Sequence, residues 1–459
     1  MSLKRKTLGV VIAAMLAGPA WGADGILDVY RIAQENDPTL RATAAERRAI
    51  GQDREQAQGA LLPQLNLQGG ITYTDQDTTS VFSNSSVIRD FSLSLTQQIN
   101  RNDLNAVRDQ AELRIKQADF NYSAAELDLI IRVIQAYTGI LAARDNLSFA
   151  RADKSAIARQ LDQTRQRYDV GLIAITDVNE AQAAFDLAFA QEIAAQNSLA
   201  LAFEDLRAIT GQPIDEIKVL KGEIPLPSPD PANIDEWVDV ALAQNPNVLA
   251  AKSAVAVAKQ EVVVQRAGDD LDIDFVVNHN RRYGTSVVSD PITTSFGVQF
   301  NVPLSTGGSI DAGVRAAEFR VDQAFEQRES ASRDTTRQTR NAYLSVINSI
   351  GRVNALAQAL KSAKSALEAV EAGFEVGTRT IVDVLDAQRD VFSARRDLSA
   401  ERYNYIVNML TLRQAAGTLT EDDLVIYDGY LIDPALEKEL YGSDFSAELN
   451  RDKPADENN

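Results

Sequence analysis

Residues 102–168 and again residues 308–374 run for 67 residues without a proline while keeping a helical spacing of apolar positions. At 1.5 Å rise per residue each stretch is about 100 Å of continuous helix, longer than any globular domain can contain. Such helices need neighbours along their whole length, and the segments that follow supply them. In the segment 380–416, Val384, Val391, Leu398, Tyr405 and Leu412 recur every seven residues, with Ala387, Ala394 and Ala415 three positions on. In 175–210 the same seam is written Val178, Phe185, Leu199 and Leu206, interrupted at Glu192, with Ala181, Ala188, Ala195 and Ala202 beside it. A seven-residue apolar repeat specifies coiled-coil packing, and alanine at the second seam lets the helices approach closely.

The duplication extends beyond the helices. Displacing the chain by about 206 residues aligns Asp37-Pro38 with Asn245-Pro246, Ala136-Tyr137 with Ala342-Tyr343, and Leu206 and Gly211 with Leu412 and Gly417. It also aligns VGLIAITDVNEAQ (170–182) with VGTRTIVDVLDAQ (376–388). Self-similarity of this kind means two copies of one structural unit. The boundaries read as repeat 1 over 23–211, a linker over 212–232 carrying Pro213, Pro225, Pro227, Pro229 and Pro231, and repeat 2 over 233–429. Residues 430–459 are acidic and aperiodic, the pattern of a loosely held tail.

Each repeat places two alternating segments before its long helix, about 64–75 and 87–99 in the first and about 271–283 and 292–303 in the second. Leu65, Leu67, Ile71 and Tyr73 alternate with Gln64, Asn66, Gln68, Thr72 and Thr74, and Phe296, Val298 and Phe300 with Ser295, Gly297 and Gln299. Alternation alone fits a soluble sheet with one face on a core as well as a transmembrane sheet. The length, about that of a tilted transmembrane strand, and the aromatic residues Tyr73 and Tyr283 near the ends fit the second, as do helices too long for a globular core. Four strands facing lipid leave two edges unpaired in hydrocarbon, so they must close with strands of other chains. Barrels begin at about eight strands, which makes two chains the minimum, while three would give twelve.

Composition removes other classes. The chain has 459 residues, 45% apolar, with a formal charge of −19, the wrong sign for a nucleic-acid partner. It has no cysteine and a single histidine, His279, so thiol nucleophiles and histidine-rich metal sites are excluded, and neither a Walker loop nor GxGxxG is present. No enzyme, cofactor or metal is called for. Residues 1–22 read as a secretory signal, with Lys4, Arg5 and Lys6 ahead of the apolar run 8–17 and a small-residue exit before Ala23.

VGLIAITDV (170–178) and EAGFEVGTRTIVDVLDA (371–387), within this duplicated plan, resemble the TolC family of outer-membrane channel-tunnel proteins. The resemblance implies a homotrimer in the Gram-negative outer membrane: a twelve-stranded transmembrane β-barrel, four strands per chain, continued by an α-helical coiled-coil barrel through the periplasm. It implies an exit duct for secreted proteins or small toxic molecules. Its partners would be a periplasmic adaptor, an inner-membrane transporter of the ABC or proton-driven kind, and outer-membrane lipid. The rival reading is a non-conducting structural trimer or spacer.

Carried onto this chain, Asp383 and Asp386 match the aspartates that ring the periplasmic aperture. A spacing of three puts both on one helix face, where repelling carboxylates should raise some pKa values above about 4 and favour cations. Asp383 also follows Thr380 with capping-box spacing, and a cap explains it equally well. Arg379, Asp177 and Thr176 match the latch that holds the tip closed, and Phe374 stands where the family places a tyrosine, while Tyr168 occupies the equivalent place in the first copy. Val170, Gly171 and Leu172, with Val376, Gly377 and Thr378, match the docking grooves for the adaptor, although glycine serves a plain turn there equally well.

Overall fold

The computed structural model describes residues 23–76, 84–221, 224–284, 292–434 and 436. Residues 1–22, expected to be a signal segment, and most of the acidic stretch expected as a tail lie outside them. Repeat 1 consists of α1 (Ile26–Asn36), α2 (Pro38–Gly59), β1 (Gln64–Gln76), β2 (Asn84–Asn100), α3 (Asn102–Asp169) and α4 (Ile175–Thr210). After a short strand β3 (Val219–Leu220), repeat 2 gives α5 (Ile234–Gln244), α6 (Pro246–Arg266), β4 (Asp272–Gly284), β5 (Ile292–Asn301), α7 (Ser309–Glu375) and α8 (Ile381–Ala416). The chain closes through α9 (Glu421–Asp428) and β6 (Leu431–Ile432). The long helices have 68 and 67 residues and their return partners 36 each, so the duplication seen in sequence is a duplication of whole hairpins.

The four long strands form one antiparallel sheet in the order β1-β2-β4-β5, joining the repeats through β2 and β4. Directly opposed residues share a face, so the register sorts the side chains. One face carries the row Leu65, Leu95, Val277 and Phe296; the other carries Asn66, Ser94, Asn278 and Ser295. The apolar face is bare, Leu67 being 75% and Phe296 77% exposed. Among the described residues, neither β1 nor β5 has a second strand partner. No helix among the described residues is long and apolar enough to cross a membrane.

The core sits midway along the helices. Tyr137 of α3 and Tyr405, Leu410 and Leu412 of α8 are buried there with Ile26 and Val29 of α1 and Ile217. The stretch 212–232, expected as a linker, is held tightly against this core. Tyr137 donates its hydroxyl to the carbonyls of Lys218 (2.8 Å) and Asp24 (3.1 Å), and Tyr405 donates to that of Pro227 (2.8 Å). β3 pairs with β6, and the Lys221 N–H donates to the Tyr430 carbonyl, so the first residues of the expected tail are corrected to an ordered ribbon. The reason is geometric: α8 and α9 return the chain to the junction between repeats, where the backbone groups of 219–221 need partners.

Each repeat breaks its entry helices at a dipeptide ending in proline. Asp37 caps α2, accepting from the Leu40 N–H at 2.7 Å, and its nearly buried carboxylate also accepts two bonds from the Arg132 guanidinium at 2.8 and 3.0 Å. At the same point of repeat 2, Asn245 caps α6 by accepting from the Asn247 N–H at 2.9 Å, and its amide donates to the Ala415 carbonyl at 2.9 Å. Burial pushes the Asp37 carboxyl up, but the bonds from Arg132 and Leu40 outweigh it and hold the group below its ordinary range. A depressed pKa stabilises the fold above the unfolded value near 4, and the benefit disappears as pH falls through the folded value. Replacing Asp37 by Ala should therefore cost about 2–3 kcal/mol at neutral pH, less in acid, whereas Asp37→Asn should keep the cap and lose only the ionic part. Thermal melts of the three proteins between about pH 3 and pH 7 check this; equal melting temperatures throughout would show the cap to be idle.

Candidate functional site

The helices turn at one end of the molecule, opposite the sheet. Both turns are Schellman motifs with the same geometry: the Leu172 N–H donates to the Arg167 carbonyl (2.9 Å) and Gly171 N–H to Tyr168 (2.8 Å), as Thr378 does to Gly373 (2.8 Å) and Gly377 to Phe374 (3.1 Å). Gly171 and Gly377 sit at φ of 78° and 79°, and a Cβ at either would meet nothing within 4 Å. Glycine is there for its backbone freedom and not for space. The flanking Val170, Leu172 and Val376 are 70%, 73% and 75% exposed, so each turn offers bare apolar side chains beside a glycine. Thr378 donates its hydroxyl back to the Gly373 carbonyl at 3.0 Å.

Just past each turn, an aspartate caps the return helix. The Ala174 N–H donates to Asp177 at 3.3 Å, and the Thr380 N–H donates to the Asp383 carboxylate at 2.8 Å. In the second copy the box is complete, because the Asp383 N–H donates to the Thr380 hydroxyl at 3.2 Å and that hydroxyl lies 2.9 Å from the carboxylate. Alanine at position 174 has no hydroxyl to reciprocate, so the first copy makes half of the motif. The Thr380 backbone N–H and hydroxyl, with a smaller contribution from Arg379, hold the Asp383 carboxyl below its ordinary range. Within one chain its shift thus runs opposite to the rise expected of a crowded ring. Asp386, one turn deeper, lies on the exposed face and accepts from Arg389 at 3.1 Å, a pair more than half exposed on both sides.

The latch residues are only partly brought together. Thr176 and Arg379 are exposed, and no ion pair joins Asp177 to Arg379 among the described residues. Phe374 instead packs against the cluster of Ile157, Ile381 and Leu385, and the Arg167 guanidinium lies over its ring, 4.5 Å from the centroid. That stack ties the end of α3 to the end of α7. It was not legible from the sequence, because the two residues are more than two hundred positions apart with no spacing rule between them. Above it, a cavity of about 670 Å³ opens between the hairpins, lined among others by Arg159, Gln160, Glu371 and Gln388. The Gln160 side-chain nitrogen and the Gln388 oxygen are buried there without a hydrogen-bond partner. The hairpins therefore touch at the tip through the stack and a small apolar cluster, with two unpaired amide atoms behind them.

Known proteins show the same plan. A family model described as "Outer membrane efflux protein" matches residues 29–212 and 237–418, one block per repeat. The chain is 39% identical over 433 residues to outer membrane protein TolC of Vibrio cholerae, covering 92% of this chain and 97% of that one. It is 29% identical to the alkaline protease secretion protein AprF of Pseudomonas aeruginosa, covering 93% and 92%. The crystal structure of the Campylobacter jejuni CmeC outer membrane channel shares the fold, with a TM-score of 0.75 at 14% identity over 95% of this chain and 99% of that one.

Proposed function

The chain belongs to the outer membrane efflux protein family, and from that premise we propose that three copies of it build the outer-membrane exit duct of a tripartite export system. The observation that carries closure with other copies is the four-stranded sheet with a bare apolar face, a polar face and two open edges, and the number three follows the family resemblance. In hydrocarbon the open N–H and C=O groups of β1 and β5 are too costly to leave, and joining them to neighbouring copies gives a twelve-stranded barrel with a polar lumen. Apolar side chains left exposed on the helices, Leu187, Ile193 and Leu201 of α4 with Phe319, Leu344 and Ile347 of α7, supply the matching contacts below the membrane.

At the periplasmic tip, Asp383 and Asp386 of the copies would ring the aperture. Arg379 would meet Asp177 and Thr176 of a neighbouring copy, since they do not meet within one chain. The exposed Val170-Gly171-Leu172 and Val376-Gly377-Thr378 turns would receive a periplasmic adaptor, which links the duct to an inner-membrane transporter of the ABC or proton-driven kind. Likeness to a protein named for alkaline protease secretion supports secreted polypeptides among the cargo, and the family name supports small effluxed molecules. Residues 1–22 would be removed on export. Purified mature protein in detergent is expected to have the mass of a trimer and to pass current across a planar bilayer. A stable monomer would overturn the barrel; a trimer that passes no current would be a spacer.

A further inference from the structure

We propose that Arg89 and Arg281 form a binding site for the phosphate groups of an anionic lipid at the outward rim of the barrel, an assignment that rests on the duct reading above. The register puts both arginines on the apolar face of the sheet. Phe91 of β2 opposes Arg281 of β4, and Arg89 opposes Tyr283, so basic and aromatic side chains alternate in a block of four. The Arg281 guanidinium lies over the Tyr283 ring at 4.6 Å, and the Phe91 and Tyr283 rings meet edge to face at 6.4 Å. This block lies two rows beyond the fully apolar row of Leu65, Leu95, Val277 and Phe296, toward the strand ends away from the helices. It is therefore the outward edge of the band that faces lipid, where aromatic belts and lipid headgroups lie.

The charges decide what the block binds. On the opposite, polar face, Arg282 is neutralised by Asp90 at 2.7 Å. Arg89 and Arg281, both exposed, have no ion pair among the described residues. The acid of that face, Asp75, stands four residues beyond Ile71, the β1 partner of Arg89. Diagonal neighbours across a strand pair are roughly 7–8 Å apart, so the two guanidinium groups repel one another unless an anion lies between them. Planar guanidinium forks bind phosphate bidentately, and one or two phosphates on a lipid headgroup would span the pair while acyl chains lie along Leu93, Leu67 and Phe296. His279, one row nearer the membrane centre, is engaged with Thr294 at 2.8 Å and takes no part.

The test is native mass spectrometry of the detergent-solubilised protein titrated with lipid A carrying its phosphates, with dephosphorylated lipid A, and with phosphatidylcholine. Single-channel recordings are made on the same preparations. The wild type should retain the phosphorylated lipid in preference to the other two, and the Arg89→Gln, Arg281→Gln double variant should lose about tenfold in that preference with unchanged conductance. Equal retention by the variant would overturn the site while leaving the duct intact. Displacement of the lipid by inorganic phosphate at comparable concentration would reduce it to an ordinary anion site and overturn the lipid assignment. Absence of current from both proteins would overturn the duct itself, and the lipid-facing role of the arginines with it.

Discussion

The Asp383→Ala, Asp386→Ala double variant is expected to conduct, but without cation preference and without block by trivalent cations added from the periplasmic side. The two residues lie one turn apart near the start of α8, so in the proposed trimer each copy would present a carboxylate pair to the aperture, and multivalent cations bridge such groups where water is restricted. The cap makes the design of the test matter. Alanine at position 383 removes a charge and also the acceptor that the Thr380 N–H uses, so lost stability and lost selectivity would be confounded. Asp383→Asn with Asp386→Asn keeps the acceptor and removes both charges. If the asparagine pair loses selectivity and block at an unchanged melting temperature, the aspartates act through charge. A wild-type reversal potential and blocker affinity in both double variants would leave Asp383 as a helix-cap partner and Asp386 as a surface charge, with the constriction elsewhere. Because Thr380 holds the Asp383 carboxyl below its usual range within one chain, the part of the selectivity that Asp383 carries should outlast that of an ordinary carboxylate as pH falls.

A second large effect is expected at the joint between hairpins. Arg167→Ala should raise open probability, and Arg379→Ser should raise it further, because the first frees α3 from α7 within a chain and the second would free neighbouring copies of the proposed trimer. A cation–π stack at an exposed site contributes about 0.5–1 kcal/mol. Repeated in each copy of a trimer that becomes roughly 1.5–3 kcal/mol, a ten- to hundredfold change in the ratio of closed to open channels. Phe374→Tyr should keep the stack and add a hydroxyl able to bond across the joint, giving a channel that opens less often. Single-channel recordings distinguish these cases. An Arg167→Ala channel with wild-type gating beside an opened Arg379→Ser channel would mean that the stack only packs.

Local rules made much of the fold legible, and non-local contacts supplied the rest. Proline-free runs and heptads marked α3, α4, α7 and α8 to within a residue or so, because helix signals are written along the chain itself. Strand β2 begins at Asn84, earlier than its apolar alternation, because its first residues are polar and are recruited only by pairing with β1. The β3–β6 ribbon joins residues more than two hundred apart through two pairs, too short to leave a periodic trace. At the tip, the Thr380–Asp383 box was readable from its spacing of three, and the Asp386–Arg389 pair has the same spacing and could have been read in the same way. The Arg167–Phe374 stack could not, since only the folded hairpins bring it together.

The open edges of β1 and β5 bear on inheritance as well as on architecture. If the proposed trimer forms, a protein completed only by joining edges with other copies has no private function for one defective chain to lose. A variant that keeps its edges but closes the aperture would still enter assemblies and disable them. In a cell making equal amounts of wild-type and such variant chains, only about one trimer in eight would be wholly wild type if copies mix at random. Damage at the tip should therefore be genetically dominant. A variant whose β1 edge cannot pair would be excluded from the trimers, leave the wild-type copies to assemble among themselves, and behave as recessive.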